Sequence, residues 1–103
     1  MNTILSFILS TPAEIGQELG RRLRAQRLAQ ALGQVELAQR AGVSAGTIKN
    51  LEGKGQASFQ SLLRVVAALG LIDELQDLFM PKVRSIAEME RAEQAQRQRA
   101  PRR

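Results

Sequence analysis

Four polar side chains fall within one short stretch: Ser44, Thr47, Lys49 and Asn50. The two hydroxyls and the carboxamide can donate and accept hydrogen bonds, and the ammonium donates. Lysine suits the acceptor edge of guanine, and asparagine suits the paired donor and acceptor of adenine. This is recognition chemistry. The chain has no cysteine and no histidine, which excludes disulfides, the usual zinc sites and imidazole general bases. No catalytic residue, metal or cofactor is expected, and the chain is not expected to be an enzyme.

The elements that must present these groups occupy residues 34–53, QVELAQRAGVSAGTIKNLEG. The pattern predicts a helix over 34–41, a turn at Gly42 and Val43, and a second helix over 45–51. Gly42 stands where the chain needs a positive φ, and Ser44 is a good N-cap for the second helix. Val35, Leu37, Ala38, Val43, Ile48 and Leu51 are the apolar positions, most on faces that meet between crossed helices. Ser44, Ala45, Gly46, Lys49 and Asn50 are left pointing outward. Two architectures fit: a helix-turn-helix whose second helix enters a DNA major groove, or an ordinary helical hairpin inside a core. Periodicity alone leaves both open.

Several residues carry a resemblance that bears on the choice. Leu32-Gly33-Gln34-Val35-Glu36-Leu37-Ala38, Ala41-Gly42-Val43-Ser44, Thr47-Ile48 and Leu51-Glu52 resemble the Cro/repressor-type (Xre) helix-turn-helix family. Leu62-Leu63 and Ala68-Leu69-Gly70-Leu71 are similar to that family's fourth helix and its ending. The resemblance covers roughly residues 16–80. It implies an all-α, five-helix, lambda-repressor-like DNA-binding domain. The long first helix and the TPAEIGQELG lead-in also look like the antitoxin branch that pairs with Hip-type kinase toxins.

The resemblance assigns roles by position. Ser44, Ala45, Gly46, Thr47, Lys49 and Asn50 fall where bases are read. Ala45 and Gly46 stand where many relatives carry long polar side chains; they cannot make bidentate hydrogen bonds. Their smallness allows close approach, and Ala45 can touch a thymine methyl. Gly46 costs the helix ~1 kcal/mol relative to alanine. Gln34 falls where the family contacts a DNA phosphate, beside the free amides of a helix N-terminus. Gly53 and Lys54 fall in a loop that binds a second phosphate through a backbone amide and a basic side chain. Arg24 is a further candidate phosphate contact. Arg27 and Glu52 fall where the family places a partly buried ion pair. Gly53-Lys54-Gly55 lacks both the preceding strand and the spacing of a nucleotide-binding loop.

Charge distribution agrees with a polyanion partner. The net charge is +5. Residues 82–103 hold seven basic and three acidic side chains, so most of the excess belongs to the tail. Residues 20–54 are nevertheless +5, while 1–19 and 55–81 are each −2. A domain positive around one motif and negative elsewhere can orient itself on a polyanion. No transmembrane run is evident, and Ile4 to Leu9 is short and has no basic residue before it. A cytoplasmic protein is the expectation.

Taken in order, residues 1–11 form an N-terminal arm, 12–81 the helix-turn-helix domain and 82–103 a basic tail. Ile4, Leu5, Phe7, Ile8 and Leu9 are too apolar for a free arm, which packs on its own domain or is exchanged across a dimer. Thr11-Pro12-Ala13-Glu14 is a capping box with proline at the first helical position. The helix after it extends to about residue 30, with Ile15, Leu19, Leu23 and Leu28 as its predicted buried stripe. Arg21 and Arg22 read as a solvated face. Ser58 caps a fourth helix over 59–69, with Phe59, Leu62, Leu63, Val66 and Leu69 buried. Ile72, Leu75, Leu78 and Phe79 predict a short fifth helix ending near Pro81. The resemblance implies dimer contacts around it, with Leu75, Leu78 and Phe79 as candidates. The tail predicts a frayed helix to about Gln96 and disorder beyond, with Glu93 and Arg97 spaced for an ion pair.

The expected function is sequence-specific binding of double-stranded DNA at an inverted repeat by a homodimer, with repression as output. A Hip-type kinase toxin is the further partner implied by the weaker resemblance; no membrane partner is expected. The alternative is a protein-interaction adaptor of the same fold, favoured by Ala45, Gly46 and the near-neutral charge of residues 1–81.

Overall fold

The computed structural model describes residues 6–82 and 86–99. Every regular element among them is helical: α1 Pro12–Ala29, α2 Gln34–Ala41, α3 Ala45–Lys54, α4 Phe59–Ala68 and α5 Ile86–Arg99, with 3-10 turns at Phe7–Leu9 and Ile72–Leu75. The architecture is all-α with five helices, as the sequence predicts, but the fifth is the tail helix α5 and not the segment before Pro81. Residues 1–5, 83–85 and 100–103, including Ile4, Leu5 and Val83, lie outside the described residues.

Local chemistry sets the helix ends. Thr11 Oγ1 accepts from the Glu14 amide at 3.2 Å, and Glu14 Oε1 accepts from the Thr11 amide at 2.8 Å. Pro12 opens α1 without wasting an amide. At the other end Ala31 takes the left-handed conformation, φ 57°. The Leu32 amide then bonds back to the Arg27 carbonyl at 3.1 Å, a closure usually made by glycine. Gly42 closes α2 with φ 70°, and the Val43 amide reaches the Ala38 carbonyl at 3.0 Å. Ser44 caps α3 and Ser58 caps α4, each accepting an amide three residues on at 3.0 Å.

The core is aliphatic. Leu23, Leu32, Leu37, Ala38, Ala41, Ile48, Leu51, Val65, Val66 and Leu69 form one buried cluster. α3 packs across both α1 and α2, α2 packs on α4, and the 3-10 turn at Ile72–Leu75 folds back on α4. Gln30 Nε2 donates to the Leu69 carbonyl at 2.8 Å, tying the C-terminal ends of α1 and α4.

Four expectations are corrected. The buried face of α1 is Gly20, Leu23 and Arg27; Ile15 is half-buried, and Leu19 and Leu28 are 38% and 50% exposed. α1 meets α3 through glycine backbone, so its contact stripe is rotated from its apolar one. Val35 and Phe59 are exposed; both stand in the first turns of their helices, beyond the packed faces. α3 runs to Lys54, so Gly53 and Lys54 are helical and not in a loop. The terminator is Gly55, at φ 67°. The segment after Gly70 forms a 3-10 turn over Ile72–Leu75 and then irregular turns. Leu71 stands at its N-cap and supplies no side-chain hydrogen bond, so a short α-helix there lacks a nucleus.

The arm touches its own domain through Phe7, over whose ring the Arg22 guanidinium sits at 5.1 Å. Ile8 and Leu9 are 94% and 88% exposed. In the tail, α5 continues three residues past Gln96, and Arg97 Nη2 lies 3.2 Å from Glu93 Oε1.

Candidate nucleic-acid interface

α3 is held by its buried residues and presents the rest. Ile48, Leu51 and Glu52 are buried; Gly46, Lys49, Asn50 and Gly53 are exposed along the opposite face. Lys49 and Asn50 make no side-chain hydrogen bond or ion pair among the described residues. The other polar candidates are engaged: Ser44 Oγ and Thr47 Oγ1 lie 2.9 Å apart, and Ser44 Oγ also accepts the Thr47 amide. Thr47 is half-buried, and so is Ala45, which packs against the core. The two groups free to meet a ligand from mid-helix are therefore an ammonium and a carboxamide.

Beneath α3 lies a buried ion pair. Arg27 Nε donates to Glu52 Oε2 at 2.8 Å, and Arg27 Nη2 donates to Glu52 Oε1 at 2.9 Å. Both side chains are almost wholly buried. The remaining guanidinium nitrogen, Nη1, donates to the Leu32 carbonyl at 2.8 Å. The hydrogen bond to Glu52 holds the Arg27 pKa above its ordinary value, against the opposing effect of burial. Gln34 Nε2 also reaches Glu52 Oε1, at 3.3 Å. The Gln34 amide nitrogen, expected on a phosphate, thus joins the start of α2 to the end of α3; Gln34 is half-buried, while Gly33, Val35 and Glu36 around it are exposed.

Residues not singled out from the sequence matter as much. Gly20 sits under the Leu51 carbonyl so closely that no Cβ could be placed there. A Cβ on Gly16 would lie 2.9 Å from the Gly55 carbonyl oxygen, and Gly55 in turn sits against the Gly16 backbone. The G-x-x-x-G spacing of Gly16 and Gly20 on one helical face was the available signal. Arg64, on α4, reaches the Gly42 carbonyl at 3.5 Å and so backs the turn between α2 and α3.

Around this body, Arg24, Lys49 and Lys54 are exposed cations without an ion pair among the described residues. Arg21 and Arg22 share Glu18, and Arg40 lies 3.6 Å from Glu36. A short helix is thus supported from below by two others, across a left-handed glycine turn, with its polar face outward. A family model described as a helix-turn-helix domain matches residues 18–79, more than half of the chain. The chain belongs to the helix-turn-helix domain family. In this helix-turn-helix domain α2 and α3 are the two motif helices, and membership supports a DNA-binding regulator of transcription. A search of curated proteins returns no match. No helix among the described residues is long and apolar enough to cross a membrane, and no metal-ligating cluster occurs among them.

Proposed function

We propose that the chain is a sequence-specific regulator that binds an inverted repeat in double-stranded DNA as a homodimer and represses by occupying a promoter. The observation that carries this reading is the outward face of α3, where Lys49 and Asn50 stand exposed above a buried aliphatic layer. Lysine offers donors to guanine, and asparagine a donor and acceptor to adenine. The Gln34 end of α2 and the exposed cations Arg24 and Lys54 supply phosphate contacts on the flanks. The amide of Gly53 is not counted among them, because a helical amide is spent on the carbonyl four residues back. Leu78 and Phe79 are 49% and 94% exposed and Leu75 is half-buried beside them, which supports dimerisation through this segment. Two copies would then place their α3 helices in major grooves about 34 Å apart. An antitoxin role beside a Hip-type kinase toxin is a sub-reading supported only by the resemblance of the lead-in to α1.

The test is selection of duplexes from a library randomised at its centre, followed by gel shift in excess competitor DNA. The wild-type chain should enrich a palindromic site. Lys49→Ala and Asn50→Ala should each weaken binding to that site about ten- to a hundredfold, the worth of one base contact, without lowering the melting temperature. Failure to enrich any site would overturn the reading. It would favour a partner-binding module of the same fold, for which the exposed Ile8, Leu9 and Phe79 are the supporting observation.

A further inference from the structure

The chain has eight glycines, and for six of them the fold supplies a reason. Gly42, Gly55 and Gly70 take left-handed φ values of 67–75°. Gly16 and Gly20 press on the backbone at Gly55 and Leu51. Gly33 stands at the N-cap of α2. Gly46 and Gly53 have no such reason. Both lie within α3 without positive φ. A methyl group on Gly53 would meet nothing within 4 Å, and one on Gly46 only Ser44 Oγ at 3.7 Å, an ordinary contact. Helices disfavour glycine relative to alanine, so the isolated fold would be better served by alanine at both positions.

The two positions share a face. They are seven residues apart, two helical turns or about 10.5 Å, and Lys49 and Asn50 lie between them. No apolar side chain interrupts that face. A partner covering it must therefore be polar and must come close to bare helix backbone. The major groove of duplex DNA, about 12 Å wide and lined by base-edge donors and acceptors, fits both requirements.

We propose that Gly46 and Gly53 are specificity-determining residues: their missing side chains let the α3 backbone seat deep enough for Lys49 and Asn50 to reach base edges. The inference rests on reading α3 as the base-reading helix. Gly53 acts here through the Cβ it lacks and not through its amide. A methyl at either end of the face lifts that end of the helix away from the bases.

The experiment sets stability against affinity. Gly46→Ala, Gly53→Ala and the double variant are melted by circular dichroism. They are then titrated with duplexes that the wild-type chain selects from a randomised library, and with unselected duplex at low salt. The melting temperature of each single variant should rise by about 2–5 °C, as helix propensity near a helix end requires. Affinity for selected duplexes should fall at least about tenfold, the scale of one lost base contact. Affinity for unselected duplex should hold, because Arg24 and Lys54 still meet phosphates. Variants that are more stable and bind selected duplexes as tightly as wild type would overturn the inference and leave the DNA reading standing. A fall in melting temperature would also overturn it, since the glycines would then serve the fold. A wild-type chain that selects no duplex would overturn the reading of α3, and the inference with it.

Discussion

Arg27 and Glu52, twenty-five residues apart, face each other in a two-pronged ion pair at 2.8 and 2.9 Å beneath the C-terminal half of α3. Every nitrogen of the guanidinium is used, and the carboxylate also receives Gln34. One pair thereby joins α1, the start of α2 and the end of α3. Removing one partner strands a charge in a nearly dry site. Glu52→Gln and Arg27→Met should each cost about 3–5 kcal/mol, read as a lowered urea midpoint at unchanged slope. The double variant Arg27→Met/Glu52→Leu should recover most of that loss, because a filled apolar site carries no unpaired charge. If the double variant is as unstable as the singles, the pair contributes more than charge balance.

Gly20 makes a second, independent prediction. Its neighbour across the helix crossing is the Leu51 carbonyl, part of a helix backbone that cannot swing aside like a flexible side chain. Gly20→Ala would gain helix propensity in isolation. Here the added methyl must push α1 off α3, so stability should fall by about 3 kcal/mol, the upper end for overpacking. Gly16→Ala, whose Cβ would stand 2.9 Å from the Gly55 carbonyl, should fall less. Thermal melts of the two variants give the order, and a Gly20→Ala chain as stable as wild type would show that the helices can separate freely.

These two sites mark what the sequence could and could not reveal. Thr11, Glu14, Gly42, Ser44 and Ser58 are legible because capping acts within a single turn, and their neighbours in sequence are their neighbours in space. The pairing of Arg27 with Glu52 spans too much chain for periodicity to find, and only the family resemblance points to it. Leu19 and Leu28 mislead because an apolar stripe measures composition, whereas the stripe that contacts α3 contains glycine and arginine. The end of α3 is ambiguous in sequence, since Gly53 and Gly55 can each stop a helix. The close approach of Gly55 to Gly16 selects the later one, and that contact is not written locally.

Acid should weaken the first helix in a traceable way. Glu14 is held below its ordinary pKa by the Thr11 amide and then by the Thr11 hydroxyl. Glu18 is held down by hydrogen bonds from Arg22 and then Arg21. A carboxylate with a depressed folded pKa adds stability above its unfolded value, near 4.3. That contribution is lost as pH falls through the folded value. The urea midpoint should therefore decline as pH drops below about 4.3. Glu14→Gln and Glu18→Gln should each flatten the decline, since an amide does not titrate. An equally steep decline in both variants would assign the acid sensitivity to other carboxylates.

Lys54 separates a phosphate contact from a helix-end charge. It lies in the last turn of α3, where any cation is favoured by the helix dipole, so its position alone is no sign of DNA contact. The two roles differ in what salt does to them. A lysine that neutralises one phosphate displaces about one counterion. Lys54→Gln should therefore reduce the slope of log affinity against log salt by about one, equally on selected and unselected duplexes. Lys49→Gln should instead erode the preference for the selected duplex. If Lys54→Gln lowers the melting temperature and leaves the salt slope alone, its charge serves the end of α3, and the phosphate contacts on that flank belong to Arg24 or another cation.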